Sequence, residues 1–229
     1  MLLSLRNLHR FLTNQSFYPI LLSSLFAVAL YAARGAYSGS WLIYRNLLWN
    51  LVLAWVPYAF SMLAAGLFLS FPRQWWMMIP PAAVWLAFFP NAPYIITDFF
   101  HLAARPGVPL WYDVLLLAAF SWTGVFLAIA SLRTMQIITA AYLGKIASWF
   151  FVFLALSLSG LGIYLGRFGR WNSWDLLLNP TNIMADVAGS LLEPLENLRF
   201  FGFTLLFTIF LFICYLTFIS MRRLEVTEI

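Results

Sequence analysis

The strongest constraint on this chain is a succession of apolar runs about as long as a lipid bilayer is thick. Roughly 20 consecutive apolar residues let an α-helix cross the hydrocarbon core, because every backbone polar group must be satisfied inside the segment. Runs of this kind cover 17–34, 46–70, 75–90, 110–132, 141–166 and 199–221. The sequence therefore predicts an all-α, polytopic transmembrane helical bundle of about six spans, a single integral membrane domain over 1–229. Composition agrees: 9% of the residues are charged, against about 25% in soluble domains. So few charges cannot cover a soluble surface, and the partner the sequence names is the lipid bilayer. It names no protein partner.

Several function classes are excluded by the same inventory. The net charge is +5, but the basic residues are scattered between apolar runs and form no stripe or arm for nucleic acid. Cys214 is the one cysteine, and His9 and His101 are the two histidines, so an internal disulfide, a cysteine-rich metal site and a multi-histidine zinc or haem site are all ruled out. No glycine-rich nucleotide loop is present, and no cofactor is expected. Near the N-terminus, Ala27-Val28-Ala29 has the small-x-small form of a signal-peptidase site. The apolar run continues through Leu30 and Tyr31 to Arg34, so an uncleaved first span is expected.

Prolines and small residues mark the runs unequally. Pro57 should kink the second. The third begins at Trp75-Trp76, meets Pro80-Pro81 and ends at Pro90-Asn91-Ala92-Pro93, which suggests a discontinuous or half-crossing helix rather than a plain span. Such a break survives at membrane depth only where protein or a wet cavity surrounds it. In the fifth run, Gly162 and Gly166, with Ala155 and Ser159 near the same face, have the spacing that lets two helix backbones approach closely. Between the fifth and sixth runs, Asn179-Pro180 can start a helix with Asn as N-cap. Ile183, Val187, Leu191, Leu195 and Leu198 then recur at helical spacing, predicting an interfacial amphipathic helix over 180–198 that Pro194 bends or ends.

With six spans both termini share a side with loops at 71–74 and 133–140. That side holds Arg6, Arg10, Arg73, Arg133, Lys145, Arg222 and Arg223; the other holds Arg34, Arg45, Arg105, Arg167, Arg170 and Arg199. Seven against six favours cytoplasmic termini by a narrow margin and a multi-pass protein of the inner (plasma) membrane. Acids are more lopsided: Glu225 and Glu228 lie on the terminal side, and Asp98, Asp113, Asp175, Asp186, Glu193 and Glu196 on the other.

Two polar clusters stand out in these apolar surroundings. In Phe89-Pro90-Asn91-Ala92-Pro93-Tyr94-Ile95-Ile96-Thr97-Asp98-Phe99-Phe100-His101-Leu102, a helix over 94–103 would put Tyr94, Asp98 and His101 on one face. Asp113 follows at the start of the fourth run, where the helix dipole favours a carboxylate. The second cluster, 166–175, holds Arg167, Arg170 and Asp175. Ionisable groups at membrane depth call for partners, and Arg167 or Arg170 could serve Asp98, Asp113 or Asp175.

The first cluster resembles the motif Phe-x-Pro-Asn-Ala-Pro-Tyr-x-x-Thr-Asp-x-x-His-Leu of a family of polytopic bacterial membrane proteins of unknown function. It matches at Phe88, Pro90, Asn91, Ala92, Pro93, Tyr94, Thr97, Asp98, His101 and Leu102, and elements at Gly162–Arg167 and Arg170–Asp175 also look similar to the family's. The resemblance covers about the region 80–200 and implies a family without an assigned activity.

Four readings of the polar residues follow. The first is a structural polar network at one membrane face, since ion pairs there are commonly structural. The second is a membrane-embedded enzyme acting on a lipid-linked or anionic substrate, with His101, Asp98, Asp113 and Asp175 as catalytic candidates and Arg167, Arg170, Asn91 and Tyr94 as substrate-binding ones. The third is a transporter or channel component built on the broken third run. The fourth and weakest is a metal held by Asp98, His101, Asp113 and Asp175, for which one histidine is a poor set; no metal is expected.

Overall fold

The computed structural model describes residues 5–105 and 107–221. Arg222, Arg223, Glu225 and Glu228, used above for orientation, lie outside the described residues. Among the described residues the regular structure is all helical, with one isolated bridge between Arg105 and Val108. The helices are α1 (Leu5–Asn14), α2 (Phe17–Ser38), α3 (Arg45–Ser70), α4 (Ile79–Phe88), α5 (Asn91–Tyr94), α6 (Leu110–Tyr164), α7 (Asp175–Leu178), α8 (Pro180–Leu192) and α9 (Leu198–Met221). Tight 3-10 turns occupy Trp75–Met78 and Ile95–His101.

Among the described residues, five helical segments are long and apolar enough to cross a membrane: Phe17–Ser38, Arg45–Ser70, Trp75–His101, Leu110–Gly169 and Leu198–Met221. Their outward faces carry exposed Leu22, Leu25, Phe26, Val52, Phe150, Leu205 and Leu206, as lipid-facing surfaces do. The fourth segment joins two of the expected runs. The loop expected at 133–140 is helical, and the backbone leaves the helix at Gly144 instead (φ 86°, ψ 170°). At about 1.5 Å per residue an unbroken 60-residue helix would far exceed the bilayer core, so the glycine divides it where no polar loop does.

The chain divides into two compact units, Met1–Ile138 and Thr139–Ile229. In the first, α3 packs along α4, α5 and both 3-10 turns. Pro57 is buried inside α3, which runs on as one helix. Its neighbours Trp55 and Tyr58 tie it to the N-terminal helices, Nε1 of Trp55 donating to Ser24 Oγ at 3.1 Å and the Tyr58 hydroxyl to the carbonyl of Gln15 at 2.9 Å. The third segment is discontinuous as expected, but it continues past residue 90 to His101. Ser121 and Gly124 bring α6 against it: the Ser121 hydroxyl donates to the carbonyl of Ile95 at 3.4 Å, and a Cβ on Gly124 would overlap the carbonyl oxygen of Ala92.

In the second unit, the close approach expected at Gly162 and Gly166 falls at Gly160, where a Cβ would lie 2.7 Å from the carbonyl oxygen of Thr204 and from Thr208 Oγ1 on α9. Ala155, Ser159 and Ile163 on that side are buried, while Gly162 and Gly166 are half-exposed. The amphipathic segment forms α8 and stops at Leu192, two residues before Pro194. Pro180 occupies its first turn, but the Asn179 side chain makes no capping bond; it donates to Asp175 Oδ1 at 3.2 Å instead. Of the predicted apolar stripe Ile183 is buried and Leu191, Leu195 and Leu198 are exposed.

Candidate functional site

The site begins with an arginine at the end of a transmembrane-length helix. Arg34 lies one turn before α2 ends at Ser38, and Gly39, in the left-handed conformation (φ 68°), turns the chain back towards α3. The return loop is closed by the Tyr31 hydroxyl donating to the carbonyl of Trp41. Asp113 is in the first turn of α6, as expected, and α6 is fixed beside α2 by the Tyr112 hydroxyl donating to the carbonyl of Leu30 at 2.9 Å. The two side chains meet as a fork: Arg34 Nε to Asp113 Oδ1 at 2.6 Å and Nη2 to Oδ2 at 3.1 Å, each side chain 1% exposed. A guanidinium and a carboxylate so fully withdrawn from solvent are compatible with folding only as a pair. The charge count places Arg34 among the topology residues, and the sequence offers Arg167 or Arg170 as a partner for Asp113. The partner is Arg34, and the clue was a lone arginine ending an apolar run.

Tyr44 extends the pair. It precedes α3 in a left-handed conformation (φ 61°), and its hydroxyl points at Asp113 Oδ2 (3.4 Å) and at the carbonyl of His101 (3.5 Å). The guanidinium of Arg34 lies 5.1 Å from the Tyr44 ring centre and that of Arg105 5.4 Å, within cation–π range. Burial, helped by the Asp113 charge and opposed by Arg105 and Arg34, pushes the Tyr44 hydroxyl above its usual range. Tyr44 therefore serves as a neutral donor.

Asp98 sits in the 3-10 turn rather than in the α-helix expected over 94–103. Pro90 and Pro93 remove donors from the preceding backbone, and three residues per turn puts Asp98 and His101 on one face while rotating Tyr94 away. Asp98 is buried and accepts from Asn50 Nδ2 at 2.8 Å; His101 is exposed. Both border an open cavity of about 320 Å³ whose other polar walls are Tyr44, Arg45, Asn46 and Arg105. Of the proposed substrate-binding residues, Asn91 and Tyr94 are half-buried in α5, and neither borders this cavity. The sequence does not single out the neighbours of Asp98: Tyr44, Arg45 and Asn50 come from one stretch distant in the chain from Asp98, and Arg45 and Arg105 read there as topology charges.

Arg167, Arg170 and Asp175 belong to the second unit. Arg167 lies in a π-helical turn over Leu165–Gly169, and Arg170 follows in a left-handed conformation (φ 59°), exposed. Asp175 is held by asparagines rather than by an arginine: the Asn172 backbone N–H donates at 2.8 Å, and Nδ2 of Asn172 and of Asn179 at 3.2 Å. The Asn172 backbone bond in particular, reinforced by the two amide side chains, holds the carboxyl below its usual range. Trp171 Nε1 donates to Asp186 Oδ2 at 2.8 Å and fastens this loop to α8. Among the described residues no three histidine, cysteine or acidic side chains converge as a metal-ligand set.

A family model described as protein of unknown function (DUF1361) matches residues 49–214. That is more than half of the chain, which belongs to this family. No curated protein and no solved structure matches it.

Proposed function

Since the family to which this chain belongs carries no assigned activity, we propose from the geometry that it is a multi-pass protein of the inner (plasma) membrane whose polar cluster is first a structural network at one membrane face. The observation that carries this reading is the forked Arg34–Asp113 pair, 1% exposed on both sides and spanning α2 and α6. Tyr44 and the Asn50–Asp98 bond extend it to α3 and the third segment. Together they fix four elements at one end of the first unit, with the termini taken as cytoplasmic and this end as outward-facing. The test is thermal unfolding of the purified protein in detergent. Asp113→Asn and Arg34→Gln each leave a buried partner uncompensated and should lower stability by about 3–5 kcal/mol, whereas the apolar pair Arg34→Met with Asp113→Leu should recover most of that loss. Single variants that melt like the parent protein would remove the network reading.

One observation favours a second reading, a membrane-embedded enzyme acting on an anionic or lipid-linked substrate. His101 is exposed on the cavity wall that Asp98 also borders, the position an acid–base group needs. In that reading His101→Ala keeps the parent melting temperature and abolishes the phenotype that the intact gene restores in a deletion strain.

A further inference from the structure

We infer that the cavity beside the start of α3 is a phosphate site, in which Arg45 and Arg105 hold a phosphate group at the depth of the lipid headgroups. The charges facing it are two arginines, one carboxylate and one histidine: Arg45, Arg105, Asp98 and His101. Two guanidiniums against one carboxylate, which is itself held by Asn50 Nδ2 at 2.8 Å, leave the balance positive. Arg105 adds a more specific sign. Its Nε has no hydrogen-bond partner among the described residues; it is covered where the side chain now lies, so an anion that draws the guanidinium into the cavity would satisfy a donor otherwise left unmet. A guanidinium presents planar, paired donors that match phosphate oxygens. Tyr44 and residues 45–47, which open the 26-residue α3, form one wall of the same cavity, and no side chain caps that turn. The N–H groups of Arg45 and Leu47 already donate to the carbonyls of Leu42 and Tyr44, so the helix contributes the positive end of its dipole rather than a row of free donors.

The depth follows from the aromatic residues around it. Trp41, Phe100 and Trp111 are 51%, 65% and 65% exposed on the segments joined by the Arg34–Asp113 and Tyr44 contacts. Exposed Trp75 and Trp76 stand beyond the opposite end of α3, whose 26 residues span about 39 Å. Two such belts mark the two headgroup levels. The volume of about 320 Å³ is at the small end for ligand sites and holds a phosphate together with the first atoms of the group that carries it. The inference rests on the network reading in one respect, that the Arg34–Asp113 pair holds Tyr44 beneath Arg105.

The experiment uses the full-length protein in maltoside micelles and measures binding of dihexanoyl phosphatidic acid, inorganic phosphate and, as the phosphate-free control, dihexanoylglycerol. The site is expected to bind phosphatidic acid and not dihexanoylglycerol, and Arg45→Gln and Arg105→Gln are each expected to weaken binding about tenfold or more. If inorganic phosphate binds with the same arginine dependence, free phosphate suffices as ligand; if it does not bind, the ligand is the lipid headgroup. Affinity unchanged in both variants, or no binding of either phosphate compound to the folded protein, overturns the assignment. Arg45 is exposed, so Arg45→Gln decides the matter should Arg105→Gln fail to fold. The Asp113→Asn melt, recorded with no phosphate compound present, reports separately on the network.

Discussion

At the scale of single residues, Asp175 makes the most direct prediction about pH. Its carboxyl is held below the usual range chiefly by the Asn172 backbone N–H. A depressed folded-state value means that the ionised form stabilises the loop, fully so above the unfolded value near 3.8. That contribution is lost as pH falls through the lower folded-state value. Amide hydrogen-exchange protection over 170–180, taken relative to the intrinsic rate at each pH, should therefore fall as the protein is acidified into that window. In Asp175→Asn the protection should already be reduced at neutral pH and should show no such acid step. Asp175 was legible in the sequence as an interfacial acid in need of partners, but its partners were assigned to the wrong chemistry. Asparagines three and four residues away reach it through a local turn, whereas pairing rules based on charge look for arginine. The Arg34–Asp113 pair escaped for the opposite reason: 79 positions separate the two, and only the packing of α2 on α6 brings them together.

At the scale of elements, three glycines separate conformation from contact. Gly144 has φ 86° and ψ 170° with no atom near its missing Cβ. That backbone region is close to glycine-only, so Gly144→Ala should cost about 1–3 kcal/mol through strain alone. Gly124 is helical, but its Cβ would strike the Ala92 carbonyl; since that is backbone, Gly124→Ala should cost about 1–3 kcal/mol by overpacking. Gly66, inside α3 with nothing within 4 Å, is the control, and Gly66→Ala should be neutral or up to about 1 kcal/mol stabilising. Thermal melts in one detergent rank all three, and equal effects would contradict this account. The sequence places a loop at 133–140, between the fourth and fifth apolar runs, and counts Arg133 in it. Instead Arg133 Nη1 donates to Gln136 Oε1 at 2.9 Å within the helix, which lets a polar side chain remain in a continuous α-helix.

At the scale of the whole molecule, the prediction concerns which helix ends share a membrane face. On a Cys214→Ser background, cysteines at Ala104 and Gln74, both exposed, should label from opposite sides in intact cells. With cytoplasmic termini Ala104 labels from outside. Labelling of both from one side would mean that Trp75–His101 does not cross, and the proposed depth of the cavity would fall with it. The reverse pattern, Gln74 from outside, would invert the orientation and leave the packing untouched.

The sequence by itself determined the class of the protein: in lipid only self-satisfied helices persist, so long apolar runs with few charges leave an all-helical bundle as the outcome. It also located the proline-broken third segment, a helix starting at Pro180 within the stretch 180–198, and the acids Asp98 and Asp113, because local hydropathy and backbone chemistry are properties of neighbours in the chain. Tertiary structure alone decided which charges neutralise one another, that Arg45 and Arg105 border one cavity with Asp98 and His101, and that Gly160 rather than Gly162 is the contact glycine. Those outcomes depend on rotation and register between helices far apart in sequence. Such degrees of freedom are fixed by side-chain packing rather than by apolar periodicity.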